Sequence, residues 1–357
     1  PEITFDPDKI EVPPIYPDTP EVRKALARMY TNIEYNDRIF GEILKQLEED
    51  GLAENTVVFH WSDHGPLPRG KRWPYDLGIH VPLIIRWPGH IKPGSVSDRL
   101  ISTIDLGPTV LSIAGIPVPS HMQGIPFLGK YAKPPRRYVY ASRDRHDTSY
   151  DMVRAVRDKR FKYIRNYHPE LPYTLWIPYM HKHPIMQEMW RCYLEGKLEG
   201  AQLLMFKKRP VEELYDIEKD PYETNNLAEN PEYKNVLERM RKALDKWIKE
   251  MGDWGKIPEE QMVRMWYPEG EQSKTAKPFI IPICKENWGI NPIISDGTYK
   301  LKYPVLIQLY CSTQGASIGY TFQQNENPHW LLYTKPVSYT HLRAHETSLH
   351  LVCRLLL

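Results

Sequence analysis

The sequence predicts an α/β fold followed by a smaller α+β subdomain and a terminal run of short strands. Three observations predict it. An amphipathic stretch ending at Gly51 feeds a β-branched and aromatic run, Thr56 to Trp61, and a second such run, Pro82 to Trp87, lies beyond a polar loop. From Arg137 short alternating strands take over, closed by an amphipathic stretch from Pro231 to about Met251. From Asn291 strand-like runs recur at short intervals.

The opening residues, PEITFDPDKIEVPPIYPDTP, are extended and proline-rich, with neither initiator Met nor signal peptide. They are read as the start of a fragment whose upstream part is missing. Thr19-Pro20-Glu21 is a helix start: a capping hydroxyl, a proline at the first position and an acid at the positive end of the dipole. Val22, Leu26, Met29, Ile33, Phe40, Ile43, Leu44 and Leu47 recur at helical spacing, and Gly51 is the stop. Tyr35, Asn36 and Asp37 on this helix are assigned to packing.

Beyond the second strand, Ser97 to Asp105 leads into a helix ending near Ala114, with Asp105 as its cap and Gly115 as its stop; Gln123-Gly124-Ile125 is a structural turn. Tyr138 to Ala141, Met152 to Arg157 and Phe161 to Arg165 are expected strands. The apolar and basic alternation of Val153 to Arg157 predicts a half-exposed one. Arg143, Asp144, Arg145, His146 and Asp147 form a charged loop, and residues 166–210 are rich in aromatics, His and Pro. Glu213-Leu214-Tyr215-Asp216 ends a strand and Asp220-Pro221 makes a tight turn, which accounts for the acids here without a metal. The closing helix presents Tyr233, Val236, Leu237, Met240, Leu244, Trp247 and Ile248 on one face.

Bulk properties exclude several functions. A net charge of +2 gives no support to nucleic-acid binding. No apolar run approaches the ~20 residues of a membrane span. The four cysteines are scattered without a CxxC pair, so neither a thiolate metal site nor a disulfide framework is expected.

Ser62, Asp63, His64 and Gly65 directly follow the first strand, at the carboxyl end where ligands of α/β sheets sit. A carboxylate is a hard donor for a divalent cation. Lys71 and Arg72, in the basic loop that also holds Arg69, could neutralise an anion held by that cation. The same residues also suit an Asx turn followed by solvated charge, and composition alone leaves both readings open.

The combination is more specific than its parts. WSDHG, then Lys71, then Tyr75-Asp76-x-Gly78-x-x-Val81-Pro82-Leu83-Ile84-Ile85 and Trp87-Pro88-Gly89, resembles the second signature region of the type I sulfatases, within the alkaline-phosphatase-like superfamily. Asp76 replaces the usual Glu and His80 the usual Arg. Ser102 to Ile116 and the string from Leu214-Tyr215-Asp216 to Asn226-Leu227-Ala228 are similar to family text as well. The resemblance implies the C-terminal part of an alkaline-phosphatase-like α/β/α sandwich at 1–136 and a smaller antiparallel-sheet subdomain with its closing helix at 137–255. It implies a sulfuric ester hydrolase that uses calcium and formylglycine, with a sulfated small molecule or glycan as substrate, exported to the periplasm or outside the cell. Asp63 becomes a calcium ligand. His64 takes the next ligand position or hydrogen-bonds the sulfate, since imidazole is a poorer calcium donor than an amide oxygen. Lys71 contacts the sulfate and the leaving group, and Arg72 and His80 are further substrate-binding candidates. In the family, loops at the place of the charged segment 143–147 can border the pocket; the segment also suits a plain solvated loop.

No C-x-P-S-R or S-x-P-S-R motif occurs in this sequence, so the formylglycine residue is expected upstream and the chain alone is expected to be inactive. The competing readings are a phosphomonoester, phosphodiester or phosphonate hydrolase of the same superfamily, and a non-catalytic glycan-binding protein. Oligomeric state is not legible.

Residues 256–290 lack clear periodicity and read as a linker. At 291–336, Thr298 to Leu301, Val305 to Cys311, Ala316 to Phe322 and Trp330 to Tyr333 are expected strands. CSTQGASIGYTF and HWLLYTKPV resemble a truncated form of the small β-sandwich appended to chitobiases. Residues 337–357 resemble the read-through of a sequencing adaptor and are set aside from the fold; the helical pair His341 and His345 is not assigned to zinc, and Cys353 is set aside with them.

Overall fold

The structure, a computed structural model, describes residues 2–284 apart from 67, 145–149, 176, 268–269 and 271–275, and beyond them 287–288, 293–294, 305–311, 317–323, 327–334, 337–339 and 352–356. Two compact units result, Pro1–Lys256 and Ile257–Leu357.

In the first unit, α1 (Pro20–Glu49) starts and stops on its expected signals. The Thr19 hydroxyl accepts the Val22 N–H at 3.4 Å. At the other end Gly51 adopts φ +68°, which lets the Leu52 N–H reach back to the Leu47 carbonyl. The first turns bury Val22, Leu26 and Ala27. The later turns do not: Ile33 is 56% and Ile43 52% exposed. Tyr35, Asn36 and Asp37 lie on this exposed part, so the packing role expected of them is not found among the described residues, and Tyr35 instead lies under the Arg38 guanidinium.

Two strands flank the signature loop, β1 (Val58–Trp61) and, after the short helix α2 (Asp76–Ile79), β2 (Leu83–Arg86). They pair antiparallel with Trp61 opposite Leu83. α3 (Leu106–Ile113) follows. Asp105 does not cap it as expected. Its buried carboxylate accepts the Ser102 N–H at 2.9 Å and the Ile125 N–H at 2.7 Å and pairs with Arg136, so it ties the Gln123-Gly124-Ile125 turn to the helix start.

The subdomain is a four-stranded antiparallel sheet, β3 (Val139–Arg143), β4 (Val153–Arg157), β5 (Phe161–Asn166) and β6 (Glu212–Asp216), in that spatial order. Between β5 and β6 the chain makes α4 (Pro178–His181) and α5 (Pro184–Leu194). α6 (Lys234–Met251) closes one face, where Leu237, Met240 and Leu244 pack on Val156, Tyr163 and Leu214. The opposite face, with Val153, Ala155, Ile164 and Tyr215, joins the core shared with α1 and α5. Cover on both faces corrects the half-exposed reading of β4. Its Arg154 is buried and held by Asp253 at 2.5 Å and Asp144 at 2.8 Å, because no solvent face is left to it.

The second unit holds α7 (Glu259–Trp266), then β7 (Phe279–Cys284), β8 (Asn287–Trp288), β9 (Ile293–Ile294), β10 (Val305–Tyr310), β11 (Ser317–Thr321), β12 (Leu331–Leu332), β13 (Val337–Tyr339) and β14 (Val352–Leu356). One sheet has β7 between β10 and β8, with β9 also on β7; the other has β11 between β12 and β14. Two boundaries change. The stretch read as a linker carries α7 and β7. The stretch set aside from the fold contributes β13, paired with β10, and β14, paired with β11. The expected strand at 298–301 and the pair His341 and His345 lie outside the described residues. Among the described residues no helix is long and apolar enough to cross a membrane.

Candidate active site

One residue separates β1 from Asp63 and His64. The Asp63 Oδ1 accepts the His64 N–H at 3.0 Å, and the His64 Nδ1 lies 2.8 Å from the Gly65 carbonyl oxygen. A carbonyl can only accept, so Nδ1 carries the proton. The other ring nitrogen, Nε2, then stands 3.3 Å from Asp63 Oδ2. Two lone-pair donors this close repel unless a proton or a cation lies between them. A proton on Nε2 would make this an ordinary imidazolium–carboxylate pair, and a cation in its place would have two protein ligands, short of the six to eight oxygens that calcium takes. Among the described residues no group of three or more His, Cys, Asp or Glu side chains converges on one point.

The loop that follows is drawn tight by backbone bonds. The Gly65 N–H donates to the Gly78 carbonyl at 2.9 Å. A Cβ on Gly65 would stand 1.6 Å from the Leu77 oxygen, and one on Gly78 would stand 2.1 Å from the Gly70 oxygen, so only glycine fits either place. Arg69 and Arg72 adopt left-handed φ values of +66° and +79°. Such strain in non-glycine residues concentrates at functional sites.

A cavity of about 470 Å³, within the range of small-molecule sites, opens on this loop. Asp63, His64, Arg72 and His80 line it, together with Trp73 and Arg143. Lys71 is not among its lining residues. Its Nζ lies 5.1 Å from the centre of the Tyr179 ring, and the Arg72 guanidinium lies 5.2 Å from the same ring. The two cations thus share an aromatic neighbour, with Arg72 in the wall and Lys71 beside it. His80 stands open at the cavity, its side chain 71% exposed, with Nδ1 3.6 Å from Asp76 Oδ2; the Asp63 side chain is more open still, at 82%. Arg143, read as part of a charged loop, instead ends β3; it lines the cavity and is buried against the Trp73 ring. Of the charged loop, residues 145–147 lie outside the described residues.

A buried ionic network under the loop escaped the sequence reading. Lys162, wholly buried, stands 2.5 Å from Asp76 Oδ1 and 2.9 Å from Glu223 Oε1. Arg157 grips Asp76 through Nε and Nη2 at 3.0 Å each. Glu223 accepts the Asp76 N–H at 2.5 Å, and its carbonyl takes a hydrogen bond from Arg69 Nη2 at 2.6 Å. The turn assigned to these acids is real, since Asp220 accepts the Thr224 and Asn225 N–H groups, but Glu223 is a buried partner of the signature loop. The missed signal was Lys162 in register with Ile164 on the core face of β5.

Burial works against the charge on Asp76, but Lys162 and Arg157 outweigh it and hold the carboxyl at about 2. Burial raises Glu223, with Lys162 opposing. A depressed carboxyl adds stability above its unfolded pKa and loses it as pH falls toward the folded value. Between pH 4 and 2 the Asp76 contribution, about 2 kcal/mol, is expected to vanish. Urea unfolding at stepped pH checks this: Asp76→Asn should flatten the curve in that window, and an unchanged slope would remove Asp76 as its source.

Comparisons with known proteins agree with this geometry. The family model described as sulfatase matches residues 5–116, and that described as N-sulphoglucosamine sulphohydrolase, C-terminal, matches residues 64–198. An ulvan-active sulfatase of Formosa agariphila is 41% identical over 92% of this chain and 53% of its own length. Human N-sulphoglucosamine sulphohydrolase is 33% identical over 70% of this chain and 52% of its own. The chain thus spans about half the length of the curated relatives it matches. A crystal structure from Bacteroides fragilis, the protein yidJ, shares the fold with a TM-score of 0.51 at 21% identity, covering 71% of this chain and 49% of that one.

Proposed function

Because this chain belongs to the sulfatase family, we propose that its cavity is one part of the active site of a sulfuric ester hydrolase acting on sulfated glycans. The observation that carries the proposal is the placement of Asp63, His64, Arg72 and His80 on one cavity, on the loop that leaves β1. Asp63 and His64 Nε2 would hold calcium, which when bound polarises the sulfate. Arg72 neutralises sulfate oxygens from the wall. Lys71, on a flexible four-carbon stem beside it, stabilises charge that builds on the bridging oxygen as the ester breaks. His80, at the open rim, meets the sugar. The formylglycine nucleophile of the family has no matching motif in this sequence, so the residues here bind, orient and neutralise. Sulfated glycans are supported as substrates by the names of the relatives, and polymers of that kind are met in the periplasm or outside the cell.

Calcium titration by calorimetry tests the metal assignment. Two ligands are expected to bind in the weak range, with a Kd on the order of 1 mM, and Asp63→Ala should abolish the heat. A sub-micromolar site, or one indifferent to Asp63→Ala, would overturn the assignment. The reaction class is tested in a protein that carries this chain and a C/S-x-P-S-R segment together. Sulfate esters should be hydrolysed in preference to phosphate esters, and the reverse order sinks the sulfatase reading.

A further inference from the structure

We infer that Arg143 is a second anion-binding residue of this cavity, selecting sugars that carry a further anionic group besides the sulfate ester. The inference rests on the sulfatase reading and narrows its substrate class.

Arg143 shares the cavity lining with Asp63, His64 and Arg72, although its side chain is only 7% exposed. Its guanidinium lies 3.8 Å from the centre of the Trp73 ring. Among the described residues its one carboxylate neighbour is Asp151, at 3.3 Å from Nη1. That carboxylate is already committed: Arg209 takes both of its oxygens, at 2.8 Å each, in a fully buried bidentate pair. Among the described residues two buried guanidiniums therefore face one buried carboxylate, with one positive charge left over at the cavity wall. Neither Nε nor Nη1 of Arg143 makes a hydrogen bond among the described residues. Burial, with Arg209 and Arg72 adding and Asp151 and Tyr75 opposing, pulls the guanidinium down to about 10.

A ligand anion answers that shortage. The planar fork of an arginine suits a carboxylate or a sulfate equally. Trp73, under the Arg143 guanidinium, and Tyr140, stacked on Trp247, supply apolar wall to the same cavity. A sulfate at the Asp63 end and a second anion at Arg143 place a doubly anionic sugar across the cavity.

The test uses this chain in saturating calcium and three probes: a monosulfated hexose, the matching monosulfated hexuronate and a disulfated hexose, with affinities read by calorimetry. At least one doubly anionic probe should bind about tenfold tighter than the monosulfated hexose. Which one does so separates carboxylate from second sulfate as the group held. Arg143→Gln should bring the ratio close to one, and Arg143→Lys should keep part of it. Thermal melting of both variants shows whether the fold survives, and the lysine variant carries the test if the glutamine variant does not fold. Equal binding of all three probes, or a preference that survives Arg143→Gln, overturns the inference and leaves the sulfatase reading standing. Failure of every probe to bind overturns both.

Discussion

Lys162→Ala is expected to destabilise the first unit by about 3–5 kcal/mol, the range for removing one partner of a buried ion pair. That is a large fraction of the net stability of an ordinary domain. The residue is fully buried and serves two carboxylates at once. Without it Asp76 keeps Arg157, but Glu223 loses its cation while remaining buried. The damage should spread to the signature loop, because Glu223 also holds the Asp76 N–H at the first turn of α2 and, through its carbonyl, Arg69. Lys162→Met, which keeps the volume and removes only the charge, should lose nearly as much. Urea unfolding followed by circular dichroism measures both. A loss under 1 kcal/mol for either variant would mean that water or rearranged side chains satisfy the two carboxylates.

Lys71→Ala, in a protein that also carries the nucleophile motif, should lower kcat by 10²–10³, corresponding to about 2–4 kcal/mol of transition-state stabilisation, with little change in stability. Among the described residues the contact of its ammonium is the exposed Tyr179 ring, worth about 0.5–1 kcal/mol at an exposed site. A structural role would therefore show as a small shift in melting and no fall in turnover. Arg72→Ala is the comparison that decides between the two cations. If it removes the activity while Lys71→Ala costs only a few-fold, the residue in the cavity wall carries the charge-neutralising role and Lys71 does not.

The elements that sequence reading placed well are those whose signals are local. Thr19 and Gly51 mark α1 because a capping hydroxyl and a left-handed glycine act within a few residues of the helix ends. The strands β3 to β5 and α6 follow the periodicity of their apolar residues. The Asp63-His64 pair was legible because a motif of fixed spacing places both on one turn. Arg154 and Lys162 were not legible, since each looks like a solvated charge on its own strand, and the burial of Arg143 was hidden because its segment reads as a charged loop. β7 was missed because its stretch shows no clear periodicity and its pairing strand lies elsewhere in the chain, and β14 because its segment is set aside on its resemblance to adaptor read-through.

The sequence by itself determined the helix limits, the strand periodicity, the signature loop and its family. Tertiary structure alone decided which charges went inside and which cation reached the cavity. The reason is distance along the chain: Arg69 meets Glu223 from 154 positions away and Glu223 meets the Asp76 amide from 147. A charge becomes a buried partner only when a remote segment supplies both its cover and its counter-charge, and no local pattern encodes that pairing.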